Sequence, residues 1–162
     1  ILGFSKAVTF EGEAAISLEN ICSEKNNESY EFKIKEIEEK FILDFSHIIK
    51  GIICDIDSKI NINIIARKFH NTIIKSTIEI AIYIREKTNI NTVVISGGVF
   101  QNQILFKGVV KGLERHKFNV ATHKIIPCND SGVSLGQLII ANELLKEEFR
   151  GENHVHSCSS KY

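Results

Sequence analysis

The chain contains no methionine, not even at its first position. It carries no excess of charge: 20 basic side chains balance 20 acidic ones, for a formal net charge of zero. That balance removes the electrostatic basis for non-specific nucleic-acid binding. No apolar run approaches the roughly 18 residues needed to cross a bilayer. No signal-peptide pattern opens the sequence. The four cysteines, Cys22, Cys54, Cys128 and Cys158, form no C-x-x-C pair. In a chain of 162 residues without a secretory signal they read as free thiols in a reducing compartment, and a cytoplasmic location is expected. Internal repeats and low-complexity blocks are missing too. The lack of methionine, with an opening Ile1-Leu2-Gly3-Phe4 that begins in mid-pattern, gives the expectation of a fragment of a longer polypeptide.

What is present is a domain's worth of aliphatic residues in patterned segments. Ala14, Ala15, Leu18, Ile21 and Cys22 recur at helical spacing, which predicts a helix over 11–24. The polar stretch 25–31 reads as a loop. Alternation predicts short strands near 31–36 and 40–44. Asp44 or Ser46 is placed to cap a helix through "HIIKGIICDI". Residues 61–87 predict one long helix, because Ile62, Ile65, Ala66, Phe69, Ile73, Ser76, Thr77, Ile80, Ala81 and Ile84 fall on one face. Its isoleucines are poor helix formers, but the stretch is far too long for a strand. "NTVVISGG" then reads as a buried strand, followed by a helix at 102–115, a strand at 119–125, a turn at 127–132 and a last helix over 132–148. This alternation argues for an α/β layered sheet. Residues 1–60 read as a mostly helical lead-in or insertion, 61–148 as the α/β body, and 149–162 as a flexible tail.

The chemistry concentrates at Gly97-Gly98, where an apolar strand ends and a helix is about to begin. Glycines there let backbone N–H groups point into open space, and the helix dipole adds partial positive charge, so the turn suits a phosphate. In open α/β sheets the ligand crevice lies at this end of the strands. The same residues also suit a tight strand-to-helix turn with no ligand. Neither a P-loop nor a dinucleotide fingerprint is present.

Asp130, in "CNDSGVSLGQ", is a second candidate: a carboxylate in a turn that either binds a metal or shares helix capping with Asn129 and Ser131. Gly132 and Gly136 would let the following helix approach another backbone or a nucleotide closely. Glu11 and Glu13 bracket Gly12 at a helix start, where acids either meet the dipole or accept hydrogen bonds from a ribose. The histidines form no His-x-x-x-His pair, and His47 and His70 each sit alone on a helical stretch. His154, His156 and Cys158 either clamp a metal or belong to the tail. No Ser-His-Asp or Cys-His arrangement emerges.

"ISGGVFQNQILF" (95–106), "PCNDSGVSLGQ" (127–137), "TFEGEAAISLE" (9–19) and "IARKFHNTI" (65–73) resemble, in order and spacing, the C-terminal part of the hydrogenase maturation carbamoyltransferases, the HypF family. The resemblance covers residues 1 to about 148. Related tRNA threonylcarbamoyl-adenosine synthases carry alanines in the corresponding glycine loop. The resemblance implies the second RNase-H-like lobe of an actin/Hsp70/sugar-kinase (ASKHA) fold. It implies an enzyme that makes carbamoyl-adenylate from carbamoyl phosphate and ATP and passes the carbamoyl group to the C-terminal cysteine of a HypE-type partner. Carried over residue by residue, Gly97, Gly98, Val99 and Asn102 form the loop holding nucleotide or phosphate, and Asp130 is a ligand of a divalent metal (Mg, Zn or Fe). Gly12 and Glu13 approach the adenosine, although this family more usually has Gln where Glu13 stands. The family's other metal ligands, a His-x-x-x-His pair, are absent from this chain.

The expectation is therefore the carbamoyl-transfer lobe of such an enzyme, inactive alone because it would hold one wall of the cleft and one metal ligand. It would work with the preceding domains of the same polypeptide, with no nucleic acid and no membrane. Exposed lobe surface makes a homodimer a fair expectation. The alternative is a non-catalytic nucleotide-binding or partner-docking module of the same fold.

Overall fold

A computed structural model describes residues 7–23, 26–38 and 40–157, with side chains through residue 146. The elements in order are α1 (Glu13–Asn20), β1 (Lys33–Ile37), β2 (Lys40–Asp44), α2 (Ser46–Asp57), α3 (Ile62–Thr88), β3 (Thr92–Ile95), α4 (Gln103–Arg115), β4 (Asn119–Thr122) and α5 (Val133–Ser157). Short 3₁₀ turns cover Gly98–Gln101 and Asp130–Gly132. The described chain divides into two compact units: residues up to Ile95 with Val99–Thr122, and Ser96–Gly98 with the residues from His123 onward.

The spine of the first unit is α3, 27 residues long. Asn61 caps its start by accepting from the Asn63 N–H, and Asn89 ends it in the left-handed conformation at φ 57°. Arg85 and Lys87 in the last turn meet the negative end of the dipole. The predicted helix forms despite the isoleucine content, but Ile74, Ile78 and Ile82, which the predicted face left out, pack on the core, while Ile84, which it included, is 41% exposed. Burial of one face therefore outweighed propensity, as tertiary packing routinely does.

Strands β3 and β4 pair in parallel, Thr92 opposite Asn119 through Ile95 opposite Thr122, with α4 as the crossover. Ile95, Val109, Leu113 and Phe118 form the buried centre, packed by Ile74 and Ile78 of α3 and Phe106 of α4. The close approach of α3 and α4 depends on Gly108 and Gly112. A Cβ on these would lie 2.3 Å from Ile74 Cδ1 and 2.1 Å from Ile78 Cδ1. Arg85 stacks over the Phe118 ring and donates to the His116 carbonyl at 2.8 Å, tying the end of α3 to the turn after α4.

One expectation is corrected here. The apolar run at β3 is not buried on both faces: Ile95 is, but Val94 is 69% exposed. Helices cover one face of a ladder that has two strands, so alternate residues stay open.

The β1–β2 hairpin is antiparallel, Lys33 opposite Asp44. Phe41 stacks on Tyr83 of α3 at a centroid distance of 5.6 Å, and Lys87 pairs with Glu36. Asp44, rather than Ser46, supplies the oxygen at the start of α2, accepting from the Ser46 N–H at 2.9 Å. Tyr30 anchors the preceding segment. Its ring lies on Gly51 of α2, its hydroxyl donates to Asp55 at 2.8 Å, and Lys68 sits 4.6 Å over its face while donating to the same carboxylate at 2.7 Å.

In the second unit, α5 runs on to Ser157, past the end expected from the sequence. The helix continues through Gly151, a residue that more often ends one. Side chains of the proposed His154, His156 and Cys158 metal clamp lie outside the described residues. Leu138, Ile140 and Leu144 on α5 are exposed. Among the described residues no helix is long and apolar enough to cross a membrane.

Candidate functional site

In the second unit the glycine turn and the Asp130 turn are joined. The Gly97 N–H donates to the Cys128 carbonyl at 2.8 Å, and Ser96 Oγ lies 2.9 Å from His123 Nε2. Gly97 adopts φ 98°, which explains the glycine. The sequence reading had the amides of both glycines facing open space; the Gly97 amide instead fastens one loop to the other. Gly98 has ordinary φ, and a Cβ there would meet nothing within 4 Å. Space beside the backbone therefore exists at Gly98.

Asn129, not Asp130, caps the second 3₁₀ turn, with its side chain accepting from the Ser131 N–H at 3.2 Å. The Asp130 carboxylate is exposed and, among the described residues, makes no hydrogen bond or ion pair. Among the described residues no three His, Cys, Asp or Glu side chains converge as a metal site. Asp130 therefore fits a metal as a single ligand, which other residues would have to complete. Behind it, Gly132 packs against Ile126, while Gly136 of α5 faces open space.

In the first unit lie Gly12, Glu13, Val99 and Asn102. Gly12 precedes α1 in the left-handed conformation, φ 83°, with open space beside it. The Glu13 carboxylate accepts from both the N–H and the hydroxyl of Thr9, and these bonds hold its pKa below the ordinary range. That oxygen organises its own turn. Val99 is exposed.

The start of α4 departs further from the sequence reading, which left its amides open for an anion. Glu19 of α1 accepts from the Gln103 N–H at 2.6 Å, and Asn102 Oδ1 accepts from the Leu105 N–H at 2.9 Å. A helix N-terminus attracts an anion, and here the protein's own carboxylate supplies it.

Asn102 also leads to residues that sequence reasoning missed. Because its oxygen faces the Leu105 N–H, its Nδ2 faces His70, and donates to Nε2 at 3.0 Å. His70 is 3% exposed. Its Nδ1 carries the proton, donates to the Ala66 carbonyl at 2.8 Å and lies 3.2 Å from Cys22 Sγ. Burial pushes the Cys22 thiol up to about 11 and lowers the His70 pKa, so both groups are neutral near pH 7. This Cys-His-Asn alignment is a pin rather than a nucleophilic site. Asn102 was expected in the nucleotide or phosphate loop and is found capping α4. His70 gave no sign of this role, since two of its partners, Cys22 and Asn102, lie 48 and 32 residues away.

The parallel β3–α4–β4 unit, with the glycine turn at the carboxyl end of β3, is an α/β arrangement. A family model described as "Carbamoyltransferase, Kae1-like Domain, second subdomain" matches residues 1–137. The chain belongs to the HypF carbamoyltransferase family. It is 34% identical over 140 residues to carbamoyltransferase HypF of Synechocystis sp., covering 86% of this chain and 18% of that protein. It is 33% identical over 138 residues to a probable carbamoyltransferase HypF of Methanocaldococcus jannaschii, covering 85% of this chain and 18% of that one. The crystal structure of full-length HypF in the phosphate- and nucleotide-bound form superposes with a TM-score of 0.80 at 40% identity, over 89% of this chain and 19% of that one. The chain thus spans less than a fifth of the length of these relatives.

Proposed function

We propose that this chain is one lobe of a carbamoyltransferase that makes carbamoyl-adenylate from carbamoyl phosphate and ATP and passes the carbamoyl group to a HypE-type acceptor cysteine. In this reading the lobe is RNase-H-like, of the ASKHA type, in a cytoplasmic enzyme. Residues 1–60 are an insertion, 61–148 the nucleotide-binding body and 149–162 a tail. The observation that carries the proposal is the Gly97 to Cys128 hydrogen bond, which holds the open backbone at Gly98 beside the turn bearing Asp130, whose carboxylate has no partner among the described residues. The phosphate- and nucleotide-bound state of the similar HypF structure supports it further.

Gly98 contributes a backbone that a phosphate can approach closely, and Val99 an exposed apolar edge. Asn102 caps α4, and the resemblance to the family assigns it, with Gly12 and Glu13, to nucleotide binding. Asp130 would hold a divalent ion, which when bound would supply neutralisation of phosphate charge. At transfer, the acceptor cysteine, having lost its proton to solvent, attacks as thiolate: a C–S bond forms at the carbamoyl carbon as its bond to the adenylate oxygen breaks, and AMP leaves with the electron pair. The reaction needs further metal ligands and a facing cleft wall, so this stretch alone does not turn over. Carbamoyl-phosphate-dependent ATP–pyrophosphate exchange on the isolated chain tests that statement.

Gly98→Ala is the sharpest test of the cradle. It adds a methyl into open space at ordinary φ, so stability stays within about 0.5 kcal/mol. Calorimetry with Mg·ATP on the intact protein is expected to show binding at least tenfold weaker, and Asp130→Ala is expected to weaken it in magnesium. Unchanged binding in both variants would refute the assignment. The exposed Leu138, Ile140 and Leu144 of α5 favour the second reading, a partner-docking module, in which Mg·ATP binds neither variant nor parent.

A further inference from the structure

His70 is a buried histidine that accepts from Asn102, the cap standing between the proposed nucleotide loop and α4. Asn102 has two duties. Its Oδ1 caps α4 at the Leu105 N–H, and its backbone N–H closes the 3₁₀ turn on the Val99 carbonyl at 3.2 Å. The Leu105 N–H favours the cap over the flipped amide, and the acceptor at His70 Nε2, 3.0 Å from Nδ2, favours the same orientation. The Nδ1 proton is fixed by the Ala66 carbonyl, so Nε2 must accept.

We propose that His70 is a positioning residue: neutral, it fixes the Asn102 amide so that α4 is capped and the turn before it closed, and a proton on Nε2 releases both. A protonated Nε2 is a donor, and so is Nδ2. The pair then repels unless the amide flips, and flipping turns a donor toward the Leu105 N–H. The inference rests on the proposed nucleotide site for its consequence, that acid loosens the loop, but not for the latch itself.

The surroundings fit a neutral ring that can still titrate. Burial disfavours the charged form, Glu19 on α1 favours it, and Arg67 on the same helix opposes it. Cys22 beyond α1 is a neutral thiol, and from α4 the Asn102 amide reaches the ring. The folded pKa lies below the ordinary 6.5. The latch's contribution is therefore complete above pH 6.5 and is lost as pH falls below it toward the folded value.

Hydrogen exchange resolved by mass spectrometry on the intact protein tests this, with intrinsic rates corrected for pH. Protection of residues 103–106 is expected to fall by up to about tenfold per pH unit below 6.5, while the middle of α3 keeps its protection. His70→Gln offers a carbonyl acceptor to Asn102 without titrating, so its protection stays flat with pH. His70→Ala loses protection at every pH. A flat profile in the parent, or the parent's profile persisting in His70→Gln, would overturn the latch. Mg·ATP binding measured alongside keeps the two readings apart. An acid-sensitive latch in a protein that never binds Mg·ATP sinks the nucleotide assignment and leaves the latch standing. Acid-weakened binding that becomes pH-independent in His70→Gln supports both.

Discussion

Replacing Asn102 by alanine removes two interactions at once, and their sizes can be separated. The first is the cap on the Leu105 N–H at 2.9 Å, for which loss costs about 1 kcal/mol. The second is the partner of His70 Nε2, an acceptor on a side chain 3% exposed. Leaving a buried acceptor unpaired costs about 1–3 kcal/mol. Asn102→Ala is thus expected to destabilise the start of α4 by about 2–4 kcal/mol, a fall in amide protection of about 30- to 700-fold. Asn102→Ser keeps an oxygen for the cap and cannot reach the ring, so it carries only the second cost. Asn102→Asp keeps the cap and turns its other oxygen toward Nε2, which draws a proton onto His70. Its stability is expected to hold at lower pH than the parent's. Exchange of the 103–106 amides in each variant, and in the double variant with His70→Ala, reads all of these. If the two alanine substitutions add, with a coupling under about 0.5 kcal/mol, the Asn102–His70 bond contributes nothing and the reasoning fails.

Two further expectations concern stability. Tyr30→Phe removes one hydrogen bond to the Asp55 carboxylate and is expected to cost about 1–2 kcal/mol, since the group is partly exposed. Burial alone would raise the Asp55 pKa, but the bonds from Lys68 and Tyr30 outweigh it and hold it below the ordinary 3.8. This stability is therefore present above pH 3.8 and is lost as pH drops below it, and thermal unfolding across that range should show a shallower acid limb in Tyr30→Phe. Gly112→Val places carbon 2.1 Å from the present position of Ile78 Cδ1 and is expected to destabilise by about 1–3 kcal/mol; an unchanged melting temperature would mean that α3 and α4 are less tightly seated.

Much of the architecture was legible because local patterning and tertiary need agreed. The helical period of α3 and the alternation in the hairpin each carry their own signal. The parallel β3–β4 pairing was implied by the alternation of elements but not specified by any residue in it. Illegible were features made by distant partners. Glu19 reading the first amide of α4 spans 84 residues, and the Cys22–His70–Asn102 alignment joins three elements. Gly97 was correctly singled out as a turn glycine, but no local pattern says that its N–H is spent on Cys128.

The two glycines of α4 have a mechanical consequence at a distance. Ile74 and Ile78, four apart on α3, drop their methyl ends into the gaps at Gly108 and Gly112, four apart on α4. Sliding either rod by one residue, about 1.5 Å, drives a methyl out of its notch and into a backbone wall. The notches act as a detent that sets the phase of the two rods along their whole shared length. At the far end of that length, the phase decides whether an amide at the head of one rod meets an imidazole on the flank of the other.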